Sequence, residues 1–364
     1  MPGWRVRTSG EGPHVVGVLL GEGIGPQVVE AALVVLKAVA GETGLRFDLR
    51  RVDLGDPRRR GGRLVEDVAA FCESVLADGG ALFCGPAGGR FVYELRGRFD
   101  LFCKLVPLRP SPALADVGIV RPERLEGVDM LVVRENLGGL YFGEFGRRDG
   151  GRVAYQNCAY SADQVSRILG VAAELARLRR GRLSVVVKTG GIPEVSALWR
   201  EQAEIVAADR PIAVEILEVD NASFQLVAQA ERFDVVAAPN LFGDVLADAA
   251  TVLLGSRGMS YSANFGPDGR AAYQTGHGAA HDLAGSDRAN PVAQILSLAM
   301  MLRESFGLDA LARRVEAAIE RVLGSGVRTA DVAGPGSRVV GTRELTERIA
   351  EEAAKQPPEW ESAA

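Results

Sequence analysis

Two aspartates on a mostly apolar segment are the first residues of this sequence whose types and spacing could do chemistry. Asp244 and Asp248 stand four residues apart in NLFGDVLADAATVLLG, so at helical spacing they share one face and repel each other. A hard cation with oxygen ligands would remove that repulsion. The alternative is a solvated helix face with Asp244 as a cap, for which the apolar flanks leave little polar surface. The spacing therefore favours a divalent-metal site.

Further polar side chains follow apolar, strand-like segments. Lys188 ends LSVVVK and Asp220 follows EILEV. Burial can lower the pKa of such a lysine toward that of a general base. Alternatively, Lys188 extends to solvent and Asp220 is an ordinary helix cap. In VRENLGGLYFG, Arg134 can bind a carboxylate and Tyr141 can act as an acid; the alternative is a surface Arg134–Glu135 pair and a core tyrosine.

A loop rich in small residues precedes a predicted helix in the last third of the chain. GHGAAHDLAG, followed by RANP, lets the backbone approach a ligand closely. Asp282 in this loop can accept the hydroxyls of an adenosine ribose, as acids do in NAD sites. GEGIG, after the first predicted strand, lacks the GxGxxG pattern and by itself is typical of an ordinary turn.

The elements that must position these residues alternate along the chain. Apolar runs such as VVGVLL and LSVVVK predict buried strands, and helical stretches lie between several of them. Two long helices are predicted at about 291–305 and 308–323. This alternation predicts an α/β fold with a largely parallel sheet.

Composition excludes several classes of protein and of site. The 364 residues are enough for two domains, and a net charge of −5 offers no basic surface for nucleic acid. The four cysteines are scattered without a CxxC pair, which indicates reduced thiols. With only three histidines, a metal should be held by oxygen ligands, as Mg²⁺ or Mn²⁺ is. No signal peptide and no run of about 18 apolar residues is visible, so we expect a cytoplasmic protein without a membrane span.

Taken together and in order, these segments resemble the β-decarboxylating dehydrogenases of 2-hydroxy acids, the isocitrate and isopropylmalate dehydrogenase family. The resemblance spans about residues 14–350. The matching segments are GEGIGP (21–26), LRGRFDLF (95–102), VRENLGGLYFG (133–143), Lys188, VDNA (219–222), NLFGDVLAD (240–248), HGAAHDLAG (277–285) and ANP (289–291).

The resemblance implies an isopropylmalate-dehydrogenase-like fold of two domains with a long shared mixed sheet, not a Rossmann fold. A large cofactor-side domain would comprise 1–101 plus 255–364. A small domain, 102–254, would carry the dimer interface and a clasp arm at about 143–160. The implied homodimer shares its active sites. Lys188 and Asp220 would come from one subunit, and the other would supply Asp244, Asp248, Tyr141, Arg96 and Arg134.

The resemblance also implies roles for individual residues. Mg²⁺ or Mn²⁺ would bind Asp220, Asp244 and Asp248, with Lys188 as the base, Tyr141 as the acid, and Arg96 and Arg134 on the substrate. The implied cofactor is NAD, because an aspartate at 282 would repel the 2′-phosphate of NADP. Its contacts would come from Ile24, His277, Gly278, Ala279, Ala280, Asp282, Leu283 and Asn290, with Asn290 at the adenine.

The sequence departs from the family where the substrate should bind. LFCKLVPLRP has Val106 in place of an arginine that grips a malate carboxylate. Lys104, two residues earlier on the same strand face, or Arg109 would have to compensate. In GGRFVYELR, Arg90 and Tyr93 occupy the segment that contacts the group on C3 in the family, which favours an anionic or polar group there.

The expected activity is NAD- and metal-dependent oxidative decarboxylation of a 3-substituted malate to a 2-oxo acid, CO₂ and NADH. The substrate would be isocitrate-like, homoisocitrate-like or phosphonomethylmalate-like. Isopropylmalate and tartrate or malate dehydrogenases are the alternatives within the family. A non-catalytic regulatory subunit of an isocitrate dehydrogenase-type complex is an alternative of another class. A phosphotransferase is disfavoured because the sequence has no P-loop motif.

Overall fold

The computed structural model describes residues 12–41, 43–52, 62–208 and 210–355. Within them the chain divides into two compact units. Unit 1 contains the described residues of 1–99, 111–119 and 254–364, and unit 2 contains those of 100–110 and 120–253.

Strands and helices follow one another along the described residues. The strands are β1 His14–Leu19, β2 Phe47–Val52, β3 Ala81–Cys84, β4 Cys103–Leu108, β5 Met130–Glu135, β6 Phe145–Arg148, β7 Val153–Gln156, β8 Arg182–Val187, β9 Ala213–Glu218, β10 Val235–Ala238, β11 Tyr261–Phe265, β12 Ala271–Thr275, β13 Val327–Arg328 and β14 Arg338–Val339. The α-helices are α1 Gly25–Gly41, α2 Glu66–Ala77, α3 Phe91–Arg98, α4 Ala162–Arg177, α5 Pro193–Ala208, α6 Val219–Ala228, α7 Asn240–Ala250, α8 Val292–Glu304, α9 Asp309–Gly324 and α10 Thr342–Ala354.

Unit 1 is built on five strands in the order β2-β1-β3-β12-β11. β1 is parallel to β2 and β3, β12 is parallel to β3, and β11 and β12 form an antiparallel pair. β1 is buried on both faces, as its short apolar run predicts, because helices cover it. The largely apolar helix α8 lies in this core, with eleven of its residues buried.

Unit 2 is built on five strands in the order β4-β5-β10-β8-β9. β4 and β5 are antiparallel, whereas β5, β10, β8 and β9 run parallel. The carboxyl ends of parallel strands meet at one edge, where α/β proteins collect functional residues. Arg134 is the penultimate residue of β5, Lys188 directly follows β8, and Asp220 is the second residue after β9.

The predicted α/β class is confirmed: of the strands described, β1–β5 and β8–β12 run in mixed directions and are divided equally between the units. The two predicted long helices are α8 and α9. The structure also places residues 111–119 in unit 1, which the sequence-based division did not anticipate. Polar and apolar contacts both hold this segment: Arg328 donates two hydrogen bonds of 3.0 Å to Asp116, Ser111 donates one of 2.7 Å to Glu320, and Leu114 and Val117 are buried.

The segment expected to be a clasp arm contains an antiparallel hairpin of β6 and β7. Phe145, at its start, is 61% exposed. Among the helices described, none combines the length and the apolar character needed to cross a membrane.

Candidate active site

Arg134, near the end of β5, is the centre of a buried polar group in unit 2. It is 2% exposed, and its Nε and one terminal nitrogen donate hydrogen bonds of 3.0 and 2.8 Å to Oδ1 of Asn240. Its other terminal nitrogen forms an ion pair with the Asp244 carboxylate. Gly243 permits this packing, because a Cβ atom there would lie 2.9 Å from Cβ of Arg134.

Glu135, next along β5, points to different partners. It is fully buried, and its carboxylate accepts the backbone N–H groups of Leu137 and Gly138 at 2.8 and 2.7 Å. Burial raises the pKa of Glu135 to about 7, although these two hydrogen bonds act in the opposite direction. The alternative of a surface Arg134–Glu135 pair is therefore wrong, because both side chains are buried and each has other partners.

Tyr141 contacts the same carboxylate as Arg134. Its hydroxyl donates a 3.0 Å hydrogen bond to Oδ2 of Asp244, and the guanidinium carbon of Arg134 lies 5.5 Å from the centre of its ring. The side chain is half-buried, at the end of the short 3₁₀ helix Gly139–Tyr141. Its hydroxyl is thus held at a carboxylate in a partly open position, which differs from that of a core tyrosine.

Lys188 and Asp220 form a second group in unit 2. Parallel pairing of β8 and β9 places Val187 beside Glu218, so the residues just after these strands come together. Lys188 Nζ lies 3.1 Å from Oδ1 of Asp220, and this hydrogen bond lowers the pKa of the Asp220 carboxyl. The two side chains are 39% and 70% exposed. The expected burial of Lys188 is therefore not found within one chain.

The two aspartates of α7 lie one turn apart on the helix that their spacing predicts. Asp244 is held by Arg134 and Tyr141, whereas Asp248 is exposed. Among the described residues, no three His, Cys, Asp or Glu side chains of this chain are arranged to hold a metal ion. Asp220 therefore does not join Asp244 and Asp248 within one chain.

Lys104 lies beside Arg134 on the neighbouring strand. The antiparallel register pairs Lys104 with Arg134, and directly opposite residues share a face of the sheet. Lys104 is 7% exposed. Val106 lies on the same face two residues on, opposite Val132, and Arg109 follows the end of β4 in an exposed position. The register thus brings Lys104, and not Arg109, next to Arg134.

In unit 1, two arginines of the α3 segment stack on one tyrosine. The guanidinium carbons of Arg90 and Arg96 lie 5.3 and 5.7 Å from the centre of the Tyr93 ring. Arg96 is buried, and Arg90 is exposed at the residue preceding the helix. Two positive charges are thereby held close together by cation–π contacts.

The loop 277–283 of unit 1 lies on the first glycine turn. Ile24 donates its backbone N–H to the Ala279 carbonyl at 2.9 Å. Gly23 has a φ of +58°, and a Cβ atom there would lie 2.0 Å from that oxygen, so only glycine fits. Ala280 and Leu283 pack against a buried cluster that includes Ile24. The glycine turn, whose sequence alone is typical of an ordinary turn, thus packs against the loop that is predicted to bind the cofactor.

Other residues of this loop are more open. Asp282 is exposed within the 3₁₀ helix His281–Leu283, and nothing lies within 4 Å of the position a Cβ atom of Gly278 would take. His277 is half-buried, and its Nδ1 lies 2.9 Å from the carbonyl oxygen of Gly278. An exposed carboxylate in a loop of small residues fits the hydroxyls of a nucleotide ribose.

Asn290 is engaged inside the protein. Its Oδ1 accepts the backbone N–H of Val292 at 3.0 Å, and its Nδ2 donates to Oδ2 of Asp331 at 3.0 Å. The side chain thus binds the first backbone N–H of α8 and the Asp331 carboxylate, so a contact with adenine would fall to its backbone; that contact stays a prediction.

Sequence reasoning missed Asn240, which is fully buried at the start of α7. A signal existed, because this asparagine follows Pro239 directly after an apolar strand, where a polar side chain reaches the strand-end edge of the sheet. Its partners lie about a hundred residues earlier in the chain, beyond the reach of local pattern.

Comparisons with known proteins agree with this geometry. Residues 15–349 match the family model of isocitrate/isopropylmalate dehydrogenase. The chain is 38% identical to the 3-isopropylmalate dehydrogenase of Gloeobacter violaceus over 358 residues, covering 93% of this chain and 98% of that protein. It is 39% identical to the same enzyme of Desulfitobacterium hafniense over 351 residues, covering 92% and 98%.

Solved structures show the same fold. The TT0538 protein of Thermus thermophilus matches with a TM-score of 0.86 at 30% identity, covering 99% of this chain and 72% of that one. Isocitrate dehydrogenase of Methylococcus capsulatus matches with a TM-score of 0.83 at 31% identity, covering 94% and 100%. The predicted fold class and resemblance are confirmed. The chain belongs to the isocitrate/isopropylmalate dehydrogenase family and is a decarboxylating dehydrogenase that acts on a CH–OH group.

Proposed function

We propose that this enzyme oxidises and decarboxylates a malate that carries an anionic or polar group on C3, with NAD and a divalent cation, yielding a 2-oxo acid, CO₂ and NADH. The observation that carries the substrate class is the stacking of Arg90 and Arg96 on Tyr93. Placing an isopropyl group against two guanidinium groups would remove water from charges without replacing its hydrogen bonds. A carboxylate or phosphonate would supply those bonds.

A second candidate substrate is isopropylmalate. It is favoured by the names of the relatives, which are 3-isopropylmalate dehydrogenases at 38–39% identity. Identity at that level is spread over the whole chain, whereas the choice of the C3 group depends on a few side chains. For that reason we place more weight on Arg90 and Tyr93.

Lys104 is the proposed replacement for the arginine missing at Val106. Losing a buried contact to a substrate carboxylate costs roughly 2–5 kcal/mol, so some cation must compensate. The strand register places buried Lys104 directly beside Arg134 on the same face. Lys104 and Arg134 together would hold a malate carboxylate, with Arg96 as a further contact.

The residues proposed for the metal fit a hard cation. Asp220, Asp244 and Asp248 offer carboxylate oxygens, the ligands that Mg²⁺ and Mn²⁺ prefer. Asp248 and the Asp220 side chain are exposed, and Asp244 is partly exposed, so all three can be reached. When bound, a divalent cation supplies Lewis-acid stabilisation of the negative charge that develops on a substrate oxygen.

The chain's own residues then move the protons. Lys188 accepts the proton of the C2 hydroxyl as the hydride leaves C2. Tyr141, held at Asp244, donates a proton to the carbon from which CO₂ has departed. Lys188 accepts the C2 hydroxyl proton as a neutral amine, and Asp220, 3.1 Å away, would hold the ammonium that then forms. Proton transfers of this kind each contribute roughly 10²–10⁴ in rate.

NAD is the proposed cofactor because of the loop 277–283. Ile24, Ala280 and Leu283 supply an apolar floor, and exposed Asp282 accepts ribose hydroxyls. The same carboxylate would repel a 2′-phosphate, which disfavours NADP. The backbone at His277, Gly278, Ala279 and Asn290 would complete the nucleotide site.

A homodimer with shared sites explains why the three aspartates do not meet in one chain. The helices α6 and α7, which carry them, pack together in unit 2. Each exposes a large apolar side chain: Phe224 is 69% and Val245 58% exposed. Apolar groups next to exposed or partly exposed carboxylates fit a second copy of the same chain, which would bring Asp220 of one subunit to Asp244 and Asp248 of the other.

NADH formation tests the substrate class directly. The purified enzyme is assayed with Mn²⁺ against isopropylmalate, isocitrate, homoisocitrate, tartrate, malate and phosphonomethylmalate. We expect the highest kcat/KM for a substrate with an anionic C3 group. A clear preference for isopropylmalate would overturn the anionic assignment.

The variant Arg90→Leu sharpens that test. A hydrogen bond to a charged group is worth about 1.5–3 kcal/mol, so KM for the preferred substrate should rise roughly ten-fold or more, with KM for malate unchanged. Arg98→Leu is the matched control, because Arg98 ends the helix that Arg90 precedes but pairs with Glu66. Equal changes for both substrates would remove Arg90 from the site.

A further inference from the structure

We propose that Asn240 is the positioning residue of this site: it sets the direction of Arg134 and fixes the turn that leads to Tyr141. The proposal rests on the proposed function, since it assigns Arg134 and Tyr141 to the substrate. Asn240 is fully buried, and its side chain has partners on two segments. Oδ1 accepts two hydrogen bonds from Arg134, at 3.0 and 2.8 Å, and Nδ2 donates one of 3.1 Å to the Gly138 carbonyl.

The two bonds to Oδ1 orient the whole guanidinium group. They come from Nε and one terminal nitrogen, which form one edge of the planar fork. The other terminal nitrogen therefore faces Asp244. The guanidinium carbon lies over the Tyr141 ring, 5.5 Å from its centre. The Asn240 amide oxygen thus determines which edge of the Arg134 guanidinium remains for a substrate.

The turn before Tyr141 is held from two sides. Nδ2 of Asn240 binds the Gly138 carbonyl, and its backbone N–H donates a 2.8 Å hydrogen bond to the Tyr160 hydroxyl. Tyr160 itself presses on the turn: Cβ atoms at Gly138 and Gly139 would lie 2.4 and 2.3 Å from Tyr160 atoms. Asn240 and Tyr160 therefore contact the turn at Gly138 from both sides. This turn leads directly into the short helix that ends at Tyr141.

A neutral amide suits this task better than a carboxylate would. A carboxylate at this position would bind the same edge of Arg134 but would also neutralise it. It would also repel the Gly138 carbonyl that Nδ2 now binds. Asparagine orients the guanidinium and leaves its positive charge for Asp244 and a substrate anion.

Steady-state kinetics of two variants test this role. Asn240→Ala should raise KM for the preferred substrate roughly ten-fold and lower kcat by a similar factor, because Arg134 and the turn both lose their anchor. Asn240→Asp keeps the size but neutralises Arg134 and repels the Gly138 carbonyl, so it should raise KM and also lower kcat. Asn264→Ala is the matched control: Asn264 is equally buried and bonds the Ala272 carbonyl in unit 1. It should lower thermal stability and leave KM unchanged.

A double-mutant cycle separates positioning from general support of the fold. In an Arg134→Lys background the fork is gone, so adding Asn240→Ala should change KM far less than it does in the wild type. Equal effects in both backgrounds, or a wild-type KM for folded Asn240→Ala, would overturn the proposal. If Asn240→Ala does not fold, the smaller but still polar and uncharged Asn240→Ser carries the same cycle.

Hydrogen exchange gives a reading that needs no turnover. In protein labelled with ¹⁵N-arginine, the Nε–H of Arg134 is identified by its loss in Arg134→Lys. We expect slow exchange in the wild type and in Asn264→Ala, and exchange roughly ten-fold faster in Asn240→Ala. Unchanged exchange would reject the role of Asn240. Absence of turnover on every malate analogue, with this difference intact, would reject the proposed function alone.

Discussion

The two polar groups of unit 2 that we propose to be catalytic differ sharply in how one chain holds them. Arg134, Tyr141 and Asp244 meet at the end of β5 through buried or half-buried hydrogen bonds, with Asn240 behind them. Lys188 and Asp220 meet after β8 and β9 as an exposed pair with a single bond between their side chains. Both groups sit at strand ends, so strand topology alone does not explain the difference.

The difference indicates which part of the proposed site already has its final arrangement in a single chain. Burial strengthens hydrogen bonds and holds the first group in one arrangement. An exposed ion pair is weak and stays adaptable until another surface covers it. We infer that the first group is pre-formed, whereas the second acquires its final surroundings from a second copy of the chain.

Mixing two inactive variants tests whether the site is divided between two subunits, and it has the largest expected effect. Lys188→Ala and Asp244→Asn should each lower kcat roughly 10²–10⁴-fold, because each removes a group that handles a proton or the cation. Co-expressed as a mixture, they should regain about a quarter of wild-type activity, since half of the dimers are mixed and each has one intact site of two. Activity is measured as NADH formation.

The matched control pairs two residues of the same group. A mixture of Lys188→Ala with Asp220→Asn should stay inactive, because every site then carries one of the two defects. Recovery in the control, or none in the first mixture, would contradict the division of the site between subunits.

The pH dependence of stability probes the buried side of the comparison. Burial raises the pKa of Glu135 from 4.5 to about 7. Between these values the folded protein keeps a proton that the unfolded chain has released, so the free energy of unfolding should fall as pH rises through this window. One pKa unit corresponds to about 1.4 kcal/mol, which makes the contribution roughly 3 kcal/mol. Glu135→Gln should flatten this slope in urea unfolding at pH 5, 6, 7 and 8.

His14, in unit 1, should contribute to the pH dependence of the free energy of unfolding with the opposite sign to Glu135. Burial lowers the pKa of His14, so its contribution to stability is lost as pH falls below its ordinary value of 6.5. His14→Phe removes that rising contribution and should make the fall with pH steeper. An unchanged slope in Glu135→Gln would show that Glu135 is ionised in the folded protein.

Stability differences between the groups are the smallest expected effect. Arg134→Met leaves the buried Oδ1 atom of Asn240 without its donor, which should lower the free energy of unfolding by roughly 1–3 kcal/mol. Lys188→Met removes an exposed side chain, and its unfolding midpoint should match the wild type. Equal losses in the two variants would mean that the exposed pair is as structurally important as the buried group.

Much of the site followed from local pattern. The spacing of Asp244 and Asp248 placed them on one helix face, and Lys188 and Asp220 lie at neighbouring strand ends as their apolar runs predicted. Other features did not follow. The glycine turn at Gly23 packs against the loop 277–283, the side chain of Asn290 binds the backbone N–H of Val292, and residues 111–119 belong to unit 1.

The sequence by itself determined which residues are available and which way each faces along its own strand or helix, because periodicity and side-chain direction are local properties. Only the tertiary structure decided which of them meet. Arg134 is bound by Asn240 and Asp244, 106 and 110 residues later. Such pairings depend on strand order and register, which bring distant segments together and bury them. Burial strengthens the hydrogen bonds between these polar residues and so fixes their orientation.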